Sequence, residues 1–275
     1  MFKKLALTLV ATLLIAGCSN SATPSPTNTS PSPTPSITVP EDLKDVVLYF
    51  VADTPKGFRL FSEVQQLPVS SDLELVITGL VTGALQPVDP DYSNLWGVES
   101  AVNSVAVTTD LITIDLAAVD LNVGSEAESR AIGQVVWTAT EIAGDLPVRF
   151  LLNGAEVETL AGHVDTSEAI ERGETYVELS DVQLVAPESG ATVTSPVTAS
   201  GFACTFEANV AWQLVRDGSV IDQGSTLAAE ACPTRSSFAV ELGELESGIY
   251  TLKVMEYSAK DGKLSSMDTK TFMVE

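Results

Sequence analysis

The chain has 275 residues, 45% of them hydrophobic, and carries 37 acidic against 14 basic side chains for a formal net charge of -23. That length holds about two domains of ordinary size, and the charge excludes nucleic acid as a partner because such a surface repels a phosphate backbone. The acid excess is concentrated from Glu41 to Val177, with 23 acids against 6 bases, which suits cations or a basic partner and also serves solubility.

Met1, Lys3 and Lys4 form a positively charged start, and Leu5 to Ala16 contains only Thr8 and Thr12 as polar residues. This pattern reads as a secretory signal peptide. Twelve helical residues reach roughly 18 Å, short of the ~30 Å hydrocarbon core of a bilayer, so a permanent span is the weaker reading. The ending Leu14-Ile15-Ala16-Gly17-Cys18 resembles the lipobox of bacterial lipoproteins. The resemblance implies removal of residues 1–17, lipid on Cys18, and an extracytoplasmic protein held to the bacterial cell membrane. If lipid takes Cys18, the other two cysteines, Cys204 and Cys232, make an even pair in a compartment that permits disulfides. A Cys204–Cys232 bond is expected, with two free buried thiols as the alternative.

Residues 18–40 read as a tether. Ser19 to Ser36 consists of Ser, Thr, Pro, Asn and Ala alone, cannot build a core, and is biased by proline toward extended polyproline II. A first domain is expected over residues 41–177. Asp45 to Val51 and Gly57 to Phe61 flank the turn residues Asp53, Thr54 and Pro55 as a hairpin. Ser71-Asp72-Leu73-Glu74 reads as a capping box ahead of a helix whose stripe is Leu73, Val76, Ile77, Leu80, Val81 and Ala84. A polar acidic loop follows from Gln86 to Asn94. Val102–Val107 and Leu111–Leu116 read as a second hairpin. Ser125-Glu126-Ala127-Glu128 reads as another capping box, before a helix with Ile132, Val135, Val136, Ala139, Ile142 and Ala143 on its core face. Leu146 to Leu152 supplies one more strand. This order predicts an α+β domain, two helices packed on an antiparallel sheet.

Val76 to Gly83, Ser104 to Leu116, Gln134 to Glu141 and Val148 to Gly154, in this succession, resemble the GerMN domain of sporulation and spore germination proteins. From Asp181 the helical period stops. Short strands recur at 182–185, 197–202, 210–216, 219–227, 237–242, 249–257 and 269–274, with Asp217-Gly218 and Asp261-Gly262 as hairpin turns. Residues 180–275 therefore read as an all-β sandwich. Pro196 to Gly201, Phe206 to Val210 and Ser258 to Gly262 resemble the immunoglobulin-like domain that accompanies GerMN in spore-germination-type lipoproteins.

Chemistry is sparsely supplied. His163 is the only histidine; Asp165 stands near it, but no Gly-x-Ser-x-Gly elbow is present, so no catalytic residue is assigned. Asp89-Pro90-Asp91 with Ser93 offers oxygens for calcium but lacks the Asp-x-Asp-x-Asp-Gly pattern, so neither a metal nor a cofactor is expected. Trp137 lies outside the core stripe of its helix, and Tyr92 and Trp96 flank the acidic loop. Exposed, these three aromatics would contact a sugar or a peptide; packing is the competing role. The expected function is a non-catalytic envelope lipoprotein that binds a cell-wall polymer or an envelope protein. A wall hydrolase using two carboxylates of the first domain, or a solute-binding lipoprotein, are the alternatives.

Overall fold

The computed structural model describes residues 42–275. The signal peptide, the lipobox with Cys18 and the tether lie outside the described residues.

The expected first hairpin is longer than its apolar runs. β1 (Leu43–Thr54) and β2 (Gly57–Pro68) pair antiparallel across their whole length as a two-stranded ribbon. β1 is buried on both faces, with Leu48 and Phe50 in the main core and Tyr49 and Val51 in a smaller cluster with Leu60, Trp137 and Leu179. This is why its sequence is a near-continuous apolar run rather than an alternation. α1 (Leu73–Val81) follows, and its N-cap is Asp72, whose carboxylate accepts from Leu75 N at 2.9 Å. Ser71 is buried ahead of the cap. The chain leaves the helix through Gly83 at φ 71°, a conformation that glycine adopts without strain.

β3 (Ala101–Val107) and β4 (Ile112–Ala118) form the second hairpin. α2 (Ser125–Ala143) then crosses to β5 (Val148–Leu152), which pairs parallel with β4, and the two-residue β6 (Ala155–Glu156) closes the order β3-β4-β5-β6. The α+β class holds, but the sheet is mixed and separate from the β1–β2 ribbon rather than one antiparallel sheet. The reason is α2 itself: a helical crossover delivers the next strand parallel to the last.

The expected cap of α2 is also reassigned. Gly124 is the N-cap residue, with no side-chain cap, and the Glu128 carboxylate is spent elsewhere. From Ala127 to Thr140 the helix is buried almost all round, and most of its polar groups find partners there, Gln134 Oε1 being left without one. Thr138 Oγ1 accepts from Tyr49 N at 3.1 Å, Thr140 Oγ1 donates to Val136 O at 2.7 Å, and Gln134 donates to Asn94 at 3.0 Å.

A short turn of helix, α3 (Thr175–Glu178), leads into the sandwich. β7 (Val182–Ala186), β9 (Val197–Ala203) and β12 (Ser236–Gly243) form one sheet in the order β12-β9-β7. β10 (Asn209–Arg216), β11 (Ser219–Leu227), β13 (Gly248–Tyr257), β14 (Leu264–Val274) and the two-residue β8 (Thr192–Val193) form the other, in the order β11-β10-β13-β14-β8. Val197, Ala199, Val210, Leu214, Phe238, Val240, Leu252, Val254 and Phe272 fill the space between them. Gly201 sits where β7 passes closest, because a Cβ there would lie 2.0 Å from Gln183 O. Cys204 and Cys232 form a disulfide that ties the end of β9 to the β11–β12 loop, leaving the two sheets unbridged.

Candidate functional site

The feature that distinguishes this molecule is the seam between its two cores, and it is built from polar side chains that are almost dry. The acidic loop after α1 is held in detail. Asp89 Oδ1 accepts from Asp91 N at 2.9 Å, and the Glu63 carboxylate of β2 accepts from Val88 N at 2.8 Å and Asp89 N at 2.9 Å. Asn94 donates to Leu80 O and Leu85 O, and Ser93 pairs with Val51 of β1 through two backbone bonds. These bonds turn the loop inward, onto β14.

There the Lys270 ammonium pairs with Asp89 Oδ2 and donates to the Tyr92 hydroxyl at 2.9 Å. Tyr92 in turn donates to Asp268, with both carboxylate oxygens at 3.1 Å. Asp268 also accepts from Leu184 N of β7 at 2.7 Å and Thr269 N at 3.0 Å. Exposure is 1% for Asp89, 5% for Tyr92, 4% for Asp268 and 5% for Lys270. Burial, reinforced by Asp89 and opposed by Lys270 and the Leu184 amide, pushes the Asp268 carboxyl up to about 7. Burial beside Asp268 and Asp89 likewise raises the Tyr92 phenol well above its ordinary range.

Further contacts extend the seam. Thr269 Oγ1 donates to Asp91, and Ser62 on β2 exchanges bonds with Gln183. Lys56, in the β1–β2 turn, reaches Asp181 at 2.7 Å and Glu256 at 3.2 Å. Arg235, three residues beyond Cys232 in the β11–β12 loop, donates to Ser180 O and, at 2.9 Å, to Gln183 Oε1. A cleft of about 270 Å³ opens beside this group, lined by Asp53, Phe61, Asp91, Tyr92, Met267 and Asp268 among others.

All three aromatics singled out in the sequence are interior. Tyr92 belongs to the seam. Trp96, 3% exposed, donates its indole N–H to Ala131 O at 2.9 Å. Trp137, also 3% exposed, donates to Glu178 at 2.5 Å, packs on Tyr49 and lies under the Arg172 guanidinium, 4.6 Å from its ring centre. Trp96 and Trp137 therefore pack in the interior, while Tyr92, buried in the seam, edges the cleft. The Asp89-Pro90-Asp91 turn is solvated on one side only: Pro90 and Asp91 are exposed, with Asp91 accepting from Thr269, while Asp89 is buried against Lys270. The seam's other half, Asp268 and Lys270, was missed, although a signal existed. In β14 they alternate in phase with Phe272 and Val274, which places two charges on a buried face.

His163 meets Glu128, not Asp165. The fully buried Glu128 carboxylate accepts from Ala161 N, His163 N and Val164 N at 3.0–3.2 Å and lies 2.7 Å from His163 Nδ1. The ring is half exposed and, among the described residues, touches no serine, threonine or cysteine hydroxyl or thiol. The pair is a loop clasp: despite burial, the His163 and backbone bonds hold Glu128 below its ordinary range. Replacing Glu128 by alanine is expected to leave three part-buried N–H groups without their carboxylate partner, each lost bond costing about 1 kcal/mol. Amide exchange at Ala161, His163 and Val164 should accelerate by at least tenfold; unchanged protection would refute the clasp.

Among the described residues no helix is long and apolar enough to cross a membrane. No curated protein matches the chain. The first GerMN domain of the sporulation protein GerM from Bacillus subtilis is similar at 19% identity over 47% of this chain and 98% of that one, with a TM-score of 0.36. The tandem GerMN domains of the same protein give 15% identity over 73% and 62%, TM-score 0.39. A putative lipoprotein from Clostridium perfringens gives 16% identity over 48% and 89%, TM-score 0.33. Residues 47–158 match the family described as sporulation and spore germination, and residues 181–263 the immunoglobulin-like domain of bacterial spore germination. The chain thus carries a domain of the sporulation and spore germination family followed by an immunoglobulin-like domain of the spore germination family.

Proposed function

We propose that this chain is a non-catalytic module of the bacterial cell envelope, held to the membrane by lipid on Cys18 and acting by contact with a wall polymer or a partner protein. The observation that carries this reading is the seam. Two spore-germination-type domains are joined by one buried charge pair, Lys270 with Asp89, by the more exposed Lys56 with Asp181 and Glu256, and by hydrogen bonds, so the unit presents its outer faces as a fixed scaffold. Its buried carboxylates support the same role: Asp89, Asp268, Glu128 and Asp181 are each engaged with protein donors.

The test is to incubate the purified full-length protein with purified cell wall and with detergent-solubilised envelope, measuring sedimentation, chemical cross-linking and release of soluble wall fragments separately. Sedimentation with the wall, or a discrete cross-linked partner, without fragment release is the expected result. Fragment release that persists through purification and disappears on a single carboxylate substitution would replace this reading with a wall hydrolase.

A further inference from the structure

We propose that Lys270 and Asp89 are the two ends of an intramolecular amide cross-link, formed by the protein itself, that joins the sandwich covalently to the loop of the first domain. The amine and the carboxylate are already in contact, and both are fixed. Lys270 stands on β14, whose neighbour β13 places Leu252 opposite it; Asp89 is held by its turn to Asp91 N and by Glu63 through its own N–H. Two reacting groups held in register in this way react as parts of one molecule, which removes most of the entropic barrier to a condensation.

The surroundings supply what the reaction needs. Lys270 donates to the Tyr92 hydroxyl, and Tyr92 donates to Asp268, a two-step relay along which a proton can leave the ammonium. With the proton on Asp268, the Lys270 nitrogen carries a free electron pair and attacks Asp89 Cγ. A C–N bond forms and one C–O bond breaks. Two of the three ammonium protons leave with that oxygen as water, one of them borrowed and returned through Tyr92. An ammonium and a carboxylate thus become a neutral amide and a water molecule; nothing is oxidised or reduced, and no co-reactant is required.

The dryness of the site favours the product, because buried ions cost several kcal/mol each in lost hydration while an amide costs far less. Lys270 and Asp89 also line a small cavity of about 70 Å³, large enough to take up the released water. Asp268 acts through Tyr92 and positions the proton. Its carboxyl, poised near neutrality, can accept and return a proton.

Peptide mapping of the full-length protein tests this directly. After reduction, denaturation and trypsin digestion, the expected product is a branched peptide in which Leu60–Arg130 is joined to Leu264–Glu275 at a mass one water below their sum, uncut after Lys270. Recovery of linear Leu60–Arg130 and Leu264–Lys270 in place of the branched species would overturn the proposal. Lys270→Arg is the control that cannot branch. After a pulse of synthesis, Asp268→Asn should accumulate the branched peptide at least tenfold more slowly and without the wild type's pH dependence near neutrality. Equal rates and pH profiles in the two proteins would remove Asp268 from the relay.

Discussion

Replacing Lys270 by methionine is expected to destabilise the folded chain by about 3–5 kcal/mol, because it strips the one ammonium from a buried group and leaves the Asp89 carboxylate uncompensated. Where the cross-link has formed, the deficit is larger, since the variant also loses a constraint between residues 181 positions apart. Urea unfolding of wild type, Lys270→Met and Lys270→Met/Asp89→Asn separates the contributions. The double variant removes both charges and should recover most of the ion-pair loss. The same measurement has a pH signature. Asp268 titrates at about 7 in the folded chain and near the ordinary carboxyl value when unfolded, so the folded state binds the extra proton between these values. Stability should therefore fall as pH rises from about 4 to about 7 and level off above, and Asp268→Asn should remove that slope. A Lys270→Met variant within 0.5 kcal/mol of wild type would mean that the seam contributes nothing to stability.

What was legible in the sequence is what depends on near neighbours in the chain. The Asp217-Gly218 turn is built as its residue types demand, both at positive φ, and the strands of the sandwich fall on the alternating runs. Of the α1 stripe, Val76, Ile77, Leu80 and Val81 bury one face and Leu73 is half-buried, while Ala84 lies exposed beyond the helix end. Errors arose where a side chain has a distant competitor for its bonds. Ser125 and Glu128 have capping-box spacing, yet Glu128 is drawn to amides more than thirty residues away. The tyrosine beside the acidic loop reads as an exposed contact until Asp268, 176 residues further on, is placed against its hydroxyl. The parallel pairing of β4 and β5 was missed for a similar reason, since strand periodicity carries no information about direction. The polar seam between the domains is therefore the least legible part of the molecule, because every pair in it joins residues that only the complete fold brings together.

The disulfide bears on the same seam. Its cysteines are 28 residues apart, and opening a loop of that size by Cys204→Ala/Cys232→Ala is expected to cost about 3.5 kcal/mol in chain entropy alone. The loss should not stay local. Cys232 N bonds to Thr205 O at 3.2 Å, and three residues further on Arg235 delivers its guanidinium to Ser180 O and Gln183. Burial lowers that guanidinium to about 10, so at neutral pH it remains a cation held in place by two acceptors and by nearby Asp181 and Asp268. A loop freed from β9 lets the cation withdraw to water, which recovers its hydration and leaves Gln183 and the Ser180 carbonyl short of a donor. Amide exchange in the double alanine variant should therefore accelerate at Ser180 and Leu184 as well as at Cys204. If the variant loses the expected stability while Ser180 and Leu184 keep their protection, Arg235 is held at the junction by its own contacts, and the disulfide secures the sandwich alone.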